Sequence, residues 1–254
     1  MFTRRLIIGG VPRAGTTLFR YVIDASPDML AGPETGFFLR PLALQQARAD
    51  RVAARVDRAL EIGKEAIQGI IEESTSSVEA YDRMMAAYAG RAGVEKNAWA
   101  EKTPWNCSSY EWLARSDPDL FFISLVRDGR DVVTSKLDGR YYISTQAYVE
   151  TMEFVQAFDH PRHLVIRYES MVQDPEATFR EVFSFLDLPF TNTMLDAYRS
   201  PSITRDSTKV NQPKVTGEIS QNWINRWQDP EHEERIREFD SHPRTHAVIA
   251  SAGY

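Results

Sequence analysis

Near its start the chain reads Leu6-Ile7-Ile8-Gly9-Gly10-Val11-Pro12-Arg13-Ala14-Gly15-Thr16-Thr17-Leu18, residue types whose order can hold an anion. The apolar run reads as a buried strand, a Gly/Pro loop follows, and Leu18, Tyr21, Val22 and Ala25 fall at helical spacing. The loop thus runs into a helix N-terminus, where outward N–H groups and the positive end of the dipole favour negative charge. Gly15 lets the backbone approach closely, Thr16 and Thr17 add hydroxyl donors, and Arg13 is a planar, permanently charged fork. A second anion site is expected where the apolar run Leu120–Val126 ends in Arg127-Asp128-Gly129-Arg130, with Ser135 eight residues beyond Arg127. Asp128 has two structural roles open to it, pairing with Arg130 or capping the following helix.

These residues need a frame that brings them to one edge. Strands are expected at residues 4–10, 29–31, 98–102, 120–126 and 163–168, with helices after most of them, so the sheet is parallel with right-handed crossovers. The fold class is α/β, one P-loop-like domain over residues 1–254 with a central parallel β-sheet flanked by helices. In such sheets ligands bind beyond the carboxyl ends of the strands, which gathers the Arg13 loop, Lys102, the Arg127 loop and Tyr168. Residues 37–93, rich in Ala, Arg, Leu, Glu and Ile, read as an insertion of about three helices, the first from about Gly36, with breaks near Asp50, Gly63 and 74–77. The polar stretch 200–217 reads as a mobile loop.

Composition narrows the partners. With 43% hydrophobic and 26% charged residues the chain is ordinary for a globular protein, and its net charge of −6 argues against nucleic acid. The single cysteine, Cys107, allows no intrachain disulfide. No run approaches the roughly 20 apolar residues of a membrane span, and the first strand starts too early for a signal peptide, so a cytoplasmic protein is expected. A homodimer is compatible with this sequence.

The spacing Gly10-x-x-x-x-Gly15 is that of a nucleotide-binding loop, but Thr16-Thr17 stand where a kinase or ATPase has Lys-Ser/Thr. A strand–PRxGTT–helix unit followed by strand–R-D-x-R–helix–Ser resembles the sulfotransferases that use 3′-phosphoadenosine-5′-phosphosulfate (PAPS). Gly10 to Thr17, Asp24-Ala25-Ser26-Pro27-Asp28, Gly32-Pro33-Glu34-Thr35, Lys102-Thr103-Pro104, Val126 to Arg130 and Arg167-Tyr168-Glu169 look most like the tyrosylprotein sulfotransferases.

That resemblance implies a set of roles. Glu34 would be the general base and Lys102 would stabilise the leaving oxygen. Arg13, Ala14, Gly15, Thr16 and Thr17 would cradle the 5′-phosphosulfate. Arg127 and Ser135 would hold the 3′-phosphate, Tyr168 would contact the nucleotide, Ser220 would assist the sulfuryl group and Arg226 would reach the cofactor. PAPS would be the co-substrate and 3′-phosphoadenosine-5′-phosphate (PAP) the product, without a metal. The acceptor would be a hydroxyl on a small metabolite, a lipid or a tyrosine side chain. Gly36 replaces an arginine with which the tyrosylprotein enzymes hold acidic peptides, which tilts the acceptor toward a small metabolite or lipid.

All five histidines lie at His160 or later, none near the Lys102 loop where many cytosolic sulfotransferases carry a catalytic His, so the resemblance implies a carboxylate from the first unit as the base. Outside catalysis, Glu34 would favour the next helix N-terminus, Lys102 would be a solvated strand end and Tyr168 a rim aromatic. A P-loop kinase and a non-catalytic nucleotide-binding protein are the competing functions.

Overall fold

The computed structural model describes residues 2–197 and 219–254; the stretch read as a mobile loop, 200–217, lies outside them. Five strands form one parallel sheet: β1 (Arg4–Gly10), β2 (Met29–Ala31), β3 (Ala98–Lys102), β4 (Phe121–Val126) and β7 (His163–Arg167). A two-stranded antiparallel hairpin, β5 (Lys136–Leu137) and β6 (Arg140–Tyr141), stands apart from it. The sheet order is β2-β3-β1-β4-β7, which places β1 in the centre. Leu6, Ile7 and Ile8 are wholly buried there, as the continuous apolar run of a strand covered on both faces requires. Strand β7 closes one edge, and its Val165 is exposed.

The register places the C-terminal ends side by side. Ile8 is opposite Lys102 on one flank of β1, and Gly10 is opposite Leu125 on the other. Successive strands are laid down on opposite sides of β1, with β2 and β3 on one side and β4 and β7 on the other, so the crevice for a ligand opens there. Helix α1 (Thr16–Asp24) follows β1.

The segment between β2 and β3 holds four helices where about three are expected: α2 (Leu42–Gln46), α3 (Ala49–Leu60), α4 (Lys64–Glu73) and α5 (Ser77–Ala92). Instead of a helix from Gly36 there is one 3₁₀ turn, Phe37–Leu39. The break expected at Asp50 falls at Ala47 and Arg48, and Asp50 occupies the first turn of α3, where a carboxylate is favourable. These helices dock through aromatics: Phe38 stacks on Trp99 of β3 at 5.9 Å, and Tyr81 meets Trp99 edge-on at 4.8 Å.

Helices α6 (Tyr110–Ser116), α7 (Gly129–Val133) and α8 (Thr145–Ala157) complete the middle of the chain. After β7 come α9 (Tyr168–Gln173), α10 (Pro175–Phe185), α11 (Met194–Ala197), α12 (Glu233–Ser241) and α13 (Thr245–Ser251).

Candidate active site

The loop after β1 turns sharply. Gly10 has φ 109° and Gly15 φ 78°, and each lies against backbone or side chain that leaves no room for a Cβ. A Cβ at Gly10 would stand 2.1 Å from the Leu125 carbonyl, and one at Gly15 would stand 2.7 Å from the Tyr168 ring. Gly15 caps α1 without a side-chain hydrogen bond, and the first turn has no acidic residue, so the dipole end is not neutralised from within the helix. Ala14 and Thr16 are buried and Thr17 is half-buried.

Arg13 lies in the same loop at φ 71°, an uncommon conformation for a residue with a side chain. Its Nε donates to Ser135 Oγ at 2.9 Å, and its carbonyl accepts from Arg127 Nη1 at 3.0 Å. Arg127 and Ser135, expected together at the second anion site, thus both meet Arg13 of the first. Burial foremost, and then the Arg127 charge, holds the Arg13 guanidinium below its ordinary pKa. Two guanidinium groups held together under partial burial repel each other, and an anion between them relieves that repulsion.

Arg127 directly follows β4 and is enclosed. Its guanidinium lies 4.4 Å from the Tyr168 ring centre, Nη2 is 3.6 Å from Asp131 Oδ2 and also donates to the Trp223 carbonyl, and Nε is buried with no partner. Tyr168 is the first residue of α9 and lies against both Gly15 and Arg127. Burial raises the Tyr168 hydroxyl pKa, against the Arg127 charge. Asp128 fills both structural roles foreseen for it, accepting from Arg130 N at 2.9 Å as cap and pairing with the Arg130 guanidinium at 2.6 Å. Glu169 Oε1 accepts from Asp128 N at 3.1 Å, and Glu169 Oε2 accepts from the Tyr254 hydroxyl at 2.6 Å, so Tyr254 props this loop.

A covering segment crosses from the C-terminal part. Asp131 accepts from the backbone N–H of Asn225 at 2.9 Å and of Trp227 at 3.0 Å, which fixes the strap on α7. Burial raises the Asp131 carboxyl pKa, with the Arg127 charge opposing. Ser220, Trp223, Arg226 and Val172 line a cavity of about 790 Å³. Arg226 lies over the Trp223 ring at 5.7 Å. The second pair lies across β1: Lys102 Nζ, at the buried end of β3, meets Glu34 Oε2 at 2.5 Å. Two helix residues hold the start of the Glu34 turn. Arg20 Nη1 donates to the carbonyls of Ala31 and Gly32, and Asp24 accepts from Ala31 N.

Sequence reasoning missed Arg20, Glu101, Asn106 and Asp131. The available signal was a charge inside an apolar element, as in Phe19-Arg20-Tyr21-Val22-Ile23 and Ala98-Trp99-Ala100-Glu101.

Parallel sheet, tight anion loop and twin guanidinium groups define an α/β protein of the P-loop-like class. The chain belongs to the sulfotransferase family, whose model, described as "Sulfotransferase family", matches residues 5–192. It is 32% identical over 207 residues to protein-tyrosine sulfotransferase 1 of Danio rerio, covering 75% of this chain and 55% of that protein. It is 28% identical to protein-tyrosine sulfotransferase 2 of Gallus gallus, covering 75% of this chain and 53% of that one. The chain thus spans about half the length of these relatives. Among solved structures it is similar to the sulfotransferase domain of the Synechococcus PCC 7002 olefin synthase (TM-score 0.64, 19% identity, 93% of each chain). It is also similar to the sulfotransferase domain of the curacin biosynthetic pathway (TM-score 0.61, 16% identity, 100% of this chain and 98% of that one).

The relatives correct the cytoplasmic expectation, since protein-tyrosine sulfotransferases are Golgi membrane enzymes. The expectation rests on where the chain begins and on the lack of a long apolar run, and neither carries weight in a chain that spans about half the length of these relatives. Among the described residues no helix is long and apolar enough to cross a membrane.

Proposed function

We propose that this chain is a PAPS-dependent O-sulfotransferase that moves a sulfuryl group to a phenol or alcohol hydroxyl. The observation that carries the reading is the Glu34–Lys102 pair across the central strand from the Arg13–Arg127 anion site. The residues fit a nucleotide with two anionic ends. Arg127 has a buried Nε without a partner, and Arg13 and Arg127 share one small volume. Arg13, Ala14, Gly15, Thr16 and Thr17 would hold the 5′-phosphosulfate through backbone N–H groups, hydroxyls and one guanidinium. Arg127 and Ser135 would hold the 3′-phosphate, Tyr168 would fix Arg127 and wall the nucleotide, and Ser220 and Arg226 would cover it from the strap.

PAPS, when bound, supplies an activated sulfuryl group on a good leaving group. The chain's part is positioning and electrostatics. Glu34 takes the proton of the acceptor hydroxyl as its oxygen forms the new bond to sulfur. Lys102 stabilises the negative charge on the bridging oxygen as its bond to sulfur breaks, and PAP and the sulfate ester leave. Lys102 meets Glu34 before reaction, so both groups already stand at one place. Gly36 adopts φ 61°, donates its N–H to Thr103 Oγ1 and carries no side chain toward the acceptor, which favours a small metabolite or lipid over an acidic peptide.

Calorimetric titration with PAP, beside ATP with and without Mg²⁺, tests the reading. PAP binding without metal is expected, and ATP–Mg²⁺ binding with no response to PAP overturns it in favour of a kinase. Transfer from PAPS to a panel of phenols, alcohols and tyrosine peptides then sorts the acceptor.

A further inference from the structure

Glu101 is wholly buried at the penultimate position of β3, and the function proposed above gives it no role. Its Oε1 accepts from Thr35 N at 3.2 Å, Thr35 Oγ1 at 2.8 Å and Thr103 Oγ1 at 2.8 Å, and its Oε2 accepts from Asn106 Nδ2 at 2.5 Å. Each partner is a donor. The Thr35 hydroxyl oxygen already accepts from Phe37 N, and the Thr103 hydroxyl oxygen from Gly36 N, so both O–H groups point to the carboxylate. Asn106 Nδ2 also donates to the Ile8 carbonyl at 3.1 Å, which fixes that amide with its NH₂ toward Glu101. Four donor hydrogens converge on the two carboxyl oxygens, an arrangement that suits the ionised form. Burial pushes the Glu101 carboxyl up, and the hydrogen bonds from Asn106, Thr103 and Thr35 oppose it.

The three arms lead to three parts of the site. Thr35 adjoins Glu34, Thr103 adjoins Lys102, and Asn106 reaches the β1 residue two positions before Gly10. Thr103 N also donates to the Ile8 carbonyl at 3.2 Å. We propose that Glu101 is a positioning residue: its buried carboxylate holds the Glu34 turn, the Lys102 strand end and the anion-loop strand in one register, so that base and cation meet. The charged and titratable groups facing it are Glu34, Arg55, Tyr81 and Tyr110. The catalytic meaning of that register rests on the sulfotransferase reading; the register itself does not.

The test follows the Lys102 ammonium by ¹H–¹⁵N NMR, its signal identified by loss in Lys102→Arg, together with calorimetry using PAP. In the wild type the ammonium is expected to be protected from solvent exchange by Glu34. Glu101→Gln places an NH₂ against the Asn106 NH₂, and Thr103→Val deletes one arm with little change of shape. Both are expected to speed exchange of the Lys102 protons about tenfold or more. Both should leave PAP affinity within about twofold, because β1 keeps its ladders with β3 and β4 and no group of the anion cradle touches Glu101. Using two variants keeps the test alive if one fails to fold. An unchanged Lys102 signal in both, an unprotected signal in the wild type, or a loss of PAP affinity in step with the signal overturns the proposal. A wild type that does not bind PAP, with Lys102 still responding to Glu101→Gln, sinks the sulfotransferase reading and leaves the positioning role of Glu101 standing.

Discussion

Arg127 has the most to lose by truncation. Its guanidinium is committed to the Arg13 carbonyl, the Trp223 carbonyl, Asp131 and the Tyr168 ring, and one buried N–H has no partner. A hydrogen bond to a charged group contributes about 1.5–3 kcal/mol, so Arg127→Ala is expected to weaken PAP binding about ten- to a hundredfold by calorimetry. Arg13→Ala should do the same through the neighbouring phosphate contacts. The Glu34–Lys102 pair should behave differently. Glu34→Gln is expected to lower kcat by about 10²–10⁴, the range for a lost general base, while leaving PAP affinity nearly unchanged. A parallel loss of binding and turnover would place Glu34 in nucleotide binding rather than in proton transfer.

At the scale of elements, the strap deserves a direct test because one side chain fastens it. Asp131 takes the N–H groups of Asn225 and Trp227, and Asp131→Ala leaves both without that acceptor. Limited proteolysis of this variant should cut near residues 219–228 faster than in the wild type, and PAP should protect it less. Equal cutting would show that the strap is held by other contacts. The elements also show what a sequence can reveal. The strand, loop and helix from Arg4 to Asp24 were legible because glycine, proline, the hydroxyls and the apolar run are all local signals. Pairing Arg13 with Ser135 was within reach once two anion sites were recognised. By contrast, Glu101, Arg20 and Asp131 act through partners distant in sequence or on other elements, and a charged residue in a strand reads as exposed until the fold buries it. The β5–β6 hairpin has two-residue strands, too short for any periodicity. The sequence places Tyr168 at the end of a strand, whereas it opens α9, because β7 passes directly into that helix without a turn signal.

For the whole molecule, ligand and proton linkage give two global readouts. PAP at about 100 times its Kd should stabilise the native state by about 2.7 kcal/mol and raise Tm by about 5–10 °C. His163 supplies the second. Its Nε2 lies 2.9 Å from Ser124 Oγ and its Nδ1 lies 3.0 Å from the Phe158 carbonyl, a pattern suited to the neutral ring. Burial foremost, with His160 nearby, holds its pKa below the ordinary value, against the Phe158 hydrogen bond. The unfolded chain then binds that proton more readily, so stability is kept above about pH 6.5 and falls as pH drops below it. Thermal melts between about pH 7.5 and 5.5 should show this fall, and His163→Asn should flatten it. An equal slope in the variant would assign the fall to other groups.

The central position of β1 also has a consequence for how the chain is made. Ribosomal synthesis produces this apolar strand before both of its neighbours, β3 and β4, which come after the four-helix segment, with Arg4 opposite Ala98 and Leu6 opposite Phe121. During elongation its open hydrogen-bonding edges face no partner strand, a state that invites misassociation and chaperone capture. The anion loop is therefore translated before the parts that give it its working shape, since Leu125 seats Val11 and Trp223 closes over Arg127.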